Sequence, residues 1–197
     1  MIVIGYQGIG KSTLAAKSLR YIDLESSSFW FDYPETKQKI RHGNWYEMYC
    51  NVAEDLSRQG YTVFVSSHQP VRERLSRSDE YVIACVPALD LKGKWIEKLR
   101  SRYENSGSEK DYKAYMNAVD RFTESVTEIM RSGFDVLEIK DMDYDLKKLL
   151  EVCGSGGRHF TREEVKRHID NLKDWDNYKP FHNAVDIVER MVERMDV

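Results

Sequence analysis

An apolar run, a glycine-rich turn and a helix-forming stretch fill the first twenty residues, and together they constrain the fold more than anything else in the chain. Met1-Ile2-Val3-Ile4 suits a buried strand, and Thr13 to Arg20 reads as a helix. Between them stands Gly5-Tyr6-Gln7-Gly8-Ile9-Gly10-Lys11-Ser12, which fits G-x-x-x-x-G-K-[ST]. Glycines allow positive backbone angles and let amide N–H groups approach an anion. Those amides, with the positive end of the following helix, make a cradle for the phosphates of a nucleotide. The cradle spans Gly8, Ile9, Gly10, Lys11, Ser12 and Thr13. Lys11 is placed to reach the β- and γ-phosphates, and Ser12 offers a hydroxyl to magnesium. An ordinary glycine turn does not require Lys and Ser in this register.

At 197 residues the chain is one domain, or one domain with a small appendage. Its apolar content of 41%, with 12% aromatic residues, is enough to fill a core. A formal charge of −3 argues against general affinity for nucleic acid, which enters only as an end substrate. Cys50, Cys85 and Cys153 are widely spaced, with no C-x-x-C, which points to reduced thiols and a cytoplasmic setting. The opening strand leaves no room for a signal peptide, and no apolar run approaches the length of a membrane span.

Strand and helix signals then alternate, as in a parallel α/β sheet. Tyr21-Ile22-Asp23-Leu24 is a short second strand, followed by a loop at Glu25-Ser26-Ser27-Ser28. Trp45, Tyr49, Val52 and Leu56 share one face of a helix that ends at Gln59-Gly60. Thr62 to Val65 is the third strand, closing at Ser66-Ser67-His68, and Val71 to Arg77 is a short charged helix. Tyr81 to Val86 is the fourth strand, and Leu89 to Tyr103 a basic helix. A polar break covers Glu104 to Ser108; a helical face resumes with Tyr115, Val119, Phe122, Val126 and Ile129. Val136 to Ile139 is the fifth strand. Gly154-Ser155-Gly156-Gly157 reads as a linker, Thr161 to Glu164 as a capping box, and Val185, Val188, Val192 and Met195 as one face of a last helix. The tail either packs back on the sheet or pairs with a second copy as a homodimer; the sequence leaves both open.

This layout resembles the nucleoside monophosphate kinase branch of the P-loop proteins, of which adenylate kinase is a member. The likeness covers about residues 1–150, and its specific part is the loop. It implies an α/β fold of the P-loop kinase type: a parallel five-stranded sheet in the order 2-3-1-4-5, flanked by helices, over residues 1–153. A linker and helical C-terminal extension over 154–197 complete the chain. It also implies an acceptor-binding segment after the second strand and a mobile lid at about 92–113.

Within that frame Lys94, Lys98, Arg100 and Arg102 fall on or beside the lid, with Arg100 and Arg102 as the catalytic cations. Arginine suits this work because it stays charged and grips phosphate with a fork. Arg72, at the end of the third strand, Arg41, in the acceptor segment, and Arg121, after the break, are acceptor-binding candidates; Arg74 and Arg77 are weaker ones. Asp23 and Glu25 stand where a doubly wound sheet places ligands. Asp23 either holds magnesium together with Ser12 or serves as a base for an acceptor hydroxyl. The resembled family carries an acid at the tip of the third strand, where this chain has Ser66-Ser67-His68, and that sharpens interest in Asp23. The aromatic run Phe29-Trp30-Phe31-Asp32-Tyr33 either stacks an acceptor base or packs into the core. His159 and His168 do not have zinc-ligand spacing.

The expected activity is ATP-dependent and magnesium-dependent phosphoryl transfer to a small acceptor, foremost a nucleotide or deoxynucleotide monophosphate. A P-loop kinase of a hydroxyl acceptor, a nucleoside or polynucleotide end, is the alternative. A regulatory nucleotide-binding protein with slow hydrolysis is a third reading, from another class.

Overall fold

The structure is a computed structural model that describes residues 1–32, 40–41 and 43–154, with the single positions 163 and 167. Among the described residues the strands are β1 (Ile2–Gly5), β2 (Tyr21–Asp23), β3 (Phe31–Asp32), β4 (Ile40–Arg41), β5 (Thr62–Val65), β6 (Val82–Pro87) and β7 (Asp135–Ile139). Its helices are α1 (Lys11–Ala15), α2 (Trp45–Arg58), α3 (Gln69–Leu75), α4 (Lys92–Ser106), α5 (Glu109–Met130) and α6 (Leu146–Val152).

Five strands form one parallel sheet in the order β2-β5-β1-β6-β7. Counting sheet strands alone, this is the expected order 2-3-1-4-5, and helices flank the sheet. The apolar runs explain the centre. β1, β5 and β6 are buried at every position, which a parallel strand covered on both faces requires. Val3 pairs with Phe64 on one side and Ile83 on the other. β3 and β4 form a separate antiparallel pair that the sequence reading left out.

The topology brings the ends of β1, β2, β5 and β6 to one edge. Past the strands, Leu24 still donates its N–H to the Phe64 carbonyl at 3.0 Å, and Tyr6 to the Cys85 carbonyl at 2.9 Å. The chain leaving β1 therefore turns beside Asp23 on one side and the start of the α4–α5 hairpin on the other.

Several boundaries differ from the sequence reading. α1 spans five residues and gives way to turns before β2. The loop after β2 contains a 3-10 turn at Ser26–Phe29. The break after α4 is only Gly107 and Ser108. Gly107 takes φ +61°, and the Ser108 hydroxyl caps α5 by accepting the Asp111 N–H at 3.1 Å. α5 bends at Arg121, whose φ and ψ are −133° and 18°. α6, not expected, starts at Asp145, whose carboxylate accepts from the N–H groups of Lys147 and Lys148. The expected linker beyond Gly154, the capping box, the last helix and the side chain of Arg41 lie outside the described residues. Cys50 and Cys85 are buried free thiols, and Cys153 is half-buried. Among the described residues no helix is long and apolar enough to cross a membrane.

Candidate functional site at the glycine-rich loop

The glycine-rich loop wraps around the Lys11 side chain. The Lys11 ammonium donates to the carbonyls of Gly5 at 3.0 Å and Tyr6 at 3.1 Å. Gly5 must be glycine for this packing: a Cβ there would lie 2.7 Å from Ile9 Cδ1 and 2.8 Å from Lys11 Cδ. Gly8 and Gly10 take φ of +83° and +96°, a region other residues enter only with strain. Burial pushes the Lys11 pKa down, with Asp23, Cys85 and Glu25 pulling the other way. A half-buried ammonium held only by two carbonyls attracts an anion.

Ser12 donates its hydroxyl to Asp23 Oδ2 at 2.6 Å. The contact follows from the register, because β2 returns alongside β5 and ends level with the first turn of α1. It puts two oxygen donors side by side at the loop, which suits a hard cation such as magnesium. Among the described residues there is no group of three or more His, Cys, Asp or Glu that could hold a metal. A cation here would therefore depend on ligand and water oxygens as well, as magnesium commonly does beside phosphates.

The α4–α5 hairpin covers the loop. Trp95 and Leu99 are buried against it, and the Trp95 indole donates to the Gln7 carbonyl at 3.0 Å. A Cβ on Gly8 would come within 2.9 Å of Leu99 Cδ2. Trp95 and Leu99 are thus the core face of α4, while most other residues of the helix are exposed. Beside the loop lies a cleft of about 880 Å³, lined by Gly8 to Leu14, by Lys98 and Arg102 of α4, and by Met142 to Lys147 after β7.

Lys98 and Arg102 are the α4 cations that the fold brings to the cleft. The Lys98 ammonium donates to the Tyr144 hydroxyl at 2.9 Å, and lies 4.5 Å from the Trp95 ring centroid and 4.8 Å from that of Tyr144. Burial, then the Arg102 charge, lower its pKa. Arg102 forms an ion pair with the buried Asp111 at the hairpin turn. Arg100 does not line the cleft. It points to solvent and pairs with Glu104 at 2.9 Å and Glu97 at 3.8 Å. Tyr144 was missed by the sequence reading, although a ligand crevice outside strand ends makes the segment after β7 a natural place to look.

The arginines expected to bind an acceptor are engaged elsewhere. Arg72 bonds the Ser67 carbonyl and lies 3.5 Å from Glu128, which is also 3.5 Å from Arg121. Arg121 pairs with Glu124 at 2.7 Å and lies outside the cleft. Arg77 is exposed. Arg74 is structural. It forks onto Glu54 at 3.0 and 3.1 Å and reaches Asn51 at 2.8 Å and Glu47 at 2.9 Å, clamping α3 to α2. Burial alone would raise the Glu54 pKa, but the hydrogen bonds from Arg74 and Ser78 and the charges of Arg74 and Arg58 outweigh it and hold it below the ordinary 4.5. Such a carboxylate stabilises the fold above its unfolded pKa, and that contribution is lost as pH falls through the folded value. Arg74→Met should therefore cost about 3 kcal/mol, because Glu54 stays buried without its partner. Urea unfolding at pH 7 and at pH 4 checks this: the gap between wild type and variant should narrow at the lower pH.

Trp30, Trp45 and His68 gather in one cluster past the ends of β2 and β5. Trp30 is edge-on to Trp45 at 6.1 Å and to His68 at 5.9 Å, and Phe29 is fully buried against Tyr49. The aromatic run therefore divides, with Phe29 in the core and Trp30 partly exposed. The chain matches no protein-family model, and neither a curated protein nor a solved structure matches it significantly.

Proposed function

We propose that this chain is an ATP-dependent phosphotransferase, with a nucleotide or deoxynucleotide monophosphate as its foremost acceptor. The observation that carries this reading is the loop: a half-buried lysine ringed by glycine-loop carbonyls, with a hydroxyl–carboxylate pair at its side. The amides of Gly8 to Thr13 bind the phosphates, and Lys11 turns from its two carbonyls toward the β–γ bridge. Ser12 and Asp23 would hold magnesium, which would supply positive charge against the phosphates. In the transfer an acceptor oxygen bonds to the γ-phosphorus, the bond from that phosphorus to the bridging oxygen breaks, and ADP leaves with the electron pair. Arg102 and Lys98 are the α4 cations placed to stabilise the phosphates through these charge shifts. Met142, Tyr144 and Leu146 offer an apolar wall to the base.

One observation favours a hydroxyl acceptor as a second reading. Arg72 and Arg74, two of the arginines expected to bind an acceptor phosphate, are already paired with carboxylates, while Asp23 holds only the Ser12 hydroxyl, a contact that an acceptor alcohol could replace. A nucleotide phosphate needs no such base, being ionised at neutral pH. An acceptor screen with γ-labelled ATP separates these readings. Label on nucleoside monophosphates supports the first, and label on nucleosides or polynucleotide ends supports the second. Slow phosphate release with no labelled acceptor would point instead to a regulatory nucleotide-binding protein.

A further inference from the structure

Lys110 sits in the first turn of α5, where the helix dipole disfavours a cation. Its ammonium reaches Glu25, two residues past β2, in an ion pair between residues 85 positions apart. One helical turn on, the Ala114 carbonyl accepts from the Gln7 side-chain amide at 2.8 Å, and Asn117 donates to the same side chain at 3.4 Å. The start of α5 is thus pinned to the glycine loop itself, on the side facing Asp23. Lys11 lies within electrostatic range of Lys110, Glu25 and Asp23 together. Lys110 and Glu25 thus belong to the charge cluster that Lys11 feels together with Asp23.

The pair is built to exchange. Lys110 is 66% exposed and Glu25 33%, and ion pairs so open to water are weak. A phosphate with two charges and three acceptor oxygens is a stronger partner for an ammonium than a carboxylate. Neither Lys110 nor Glu25 lines the cleft, but both lie within electrostatic range of Lys11, so a triphosphate seated on Lys11 sets its charge against Glu25 unless a cation moves between them.

We propose that Glu25 and the terminal phosphate of a bound triphosphate compete for Lys110, so that the hairpin delivers this lysine, and not Arg100, to the phosphoryl group being transferred. This rests on the phosphotransferase reading. The lysine discriminates triphosphate from diphosphate, since only the former presents the competing group.

The test compares dissociation constants for magnesium–ADP and a non-hydrolysable magnesium–ATP analogue. The proteins are wild type, Glu25→Gln, Lys110→Met and the double variant, each checked for fold by circular dichroism. Lys110→Met should weaken the ATP analogue about tenfold and leave ADP within about twofold. Glu25→Gln should strengthen the ATP analogue selectively, also by about tenfold, and that gain should vanish in the Lys110→Met background. Equal effects on the two nucleotides, or a Glu25→Gln gain that persists without Lys110, would overturn the exchange while leaving the nucleotide site intact. Failure of the wild type to bind either nucleotide would defeat the phosphotransferase reading, and the exchange with it.

Discussion

Lys11→Ala is expected to abolish phosphoryl transfer while leaving the fold in place. The side chain contributes two hydrogen bonds to loop carbonyls and packs its methylenes against Gly5, while the sheet core is built by other residues, so the fold survives its removal. Its proposed work is on the charge that develops between the β- and γ-phosphates. Removing such a preorganised group costs about 10²–10³ in rate, and more where nothing else reaches the same oxygen. Lys98 and Arg102 approach from α4, across the cleft, and cannot replace an ammonium seated under the loop. Turnover measured with any acceptor found in the screen decides this. A folded variant with wild-type turnover would remove Lys11 from the chemistry.

Asp23→Asn is expected to lower turnover by about 10² or more at limiting magnesium, and to raise the magnesium concentration needed for half-maximal rate. Asparagine keeps the size of the side chain and can still accept from Ser12, but it carries no charge for a cation. The 2.6 Å contact with Ser12 is the reason to expect the metal role first. If Asp23 is instead a base, turnover falls at every magnesium concentration and the acid limb of the pH–rate profile disappears. That result would also name the acceptor as a hydroxyl. Near-normal turnover and metal dependence would leave Asp23 as a turn residue.

What could be read in advance follows from how far each interaction reaches along the chain. β1, β5 and β6 are continuous apolar runs, and burial on both faces demands them, so they were visible. β3 and β4 are two residues each, too short to carry a period. The Lys11–Ser12–Asp23 cluster was within reach because only a short helix separates the loop from β2.

The placing of Arg102 over Arg100 was also in the sequence. Trp95, Leu99 and Arg102 fall at i, i+4 and i+7, so Arg102 shares the buried face while Arg100 lies away from it. Lys110 escaped because it lies between the polar break read at Glu104 to Ser108 and the apolar face that resumes at Tyr115, with no apolar period of its own. Yet Ser108-Glu109-Lys110-Asp111 is a helix-start signature, and its Ser108 cap sets the lysine in the first turn of α5. The engagement of Arg72 with Glu128 and of Arg74 with Glu54 could not have been read. Those partners lie 56 and 20 positions away, on helices whose packing no local pattern encodes.

The central claim is that the amides of the glycine-rich loop receive the phosphates of a nucleotide. Amide chemical shifts of the ¹⁵N-labelled chain, followed while magnesium–ATP is added, test it most directly. The account predicts saturable, one-to-one binding, with the largest shifts at Gly8, Gly10, Lys11, Ser12 and Thr13, and loss of those shifts in Lys11→Ala. Saturation with the loop amides unmoved, or no saturable change at millimolar nucleotide, would contradict it.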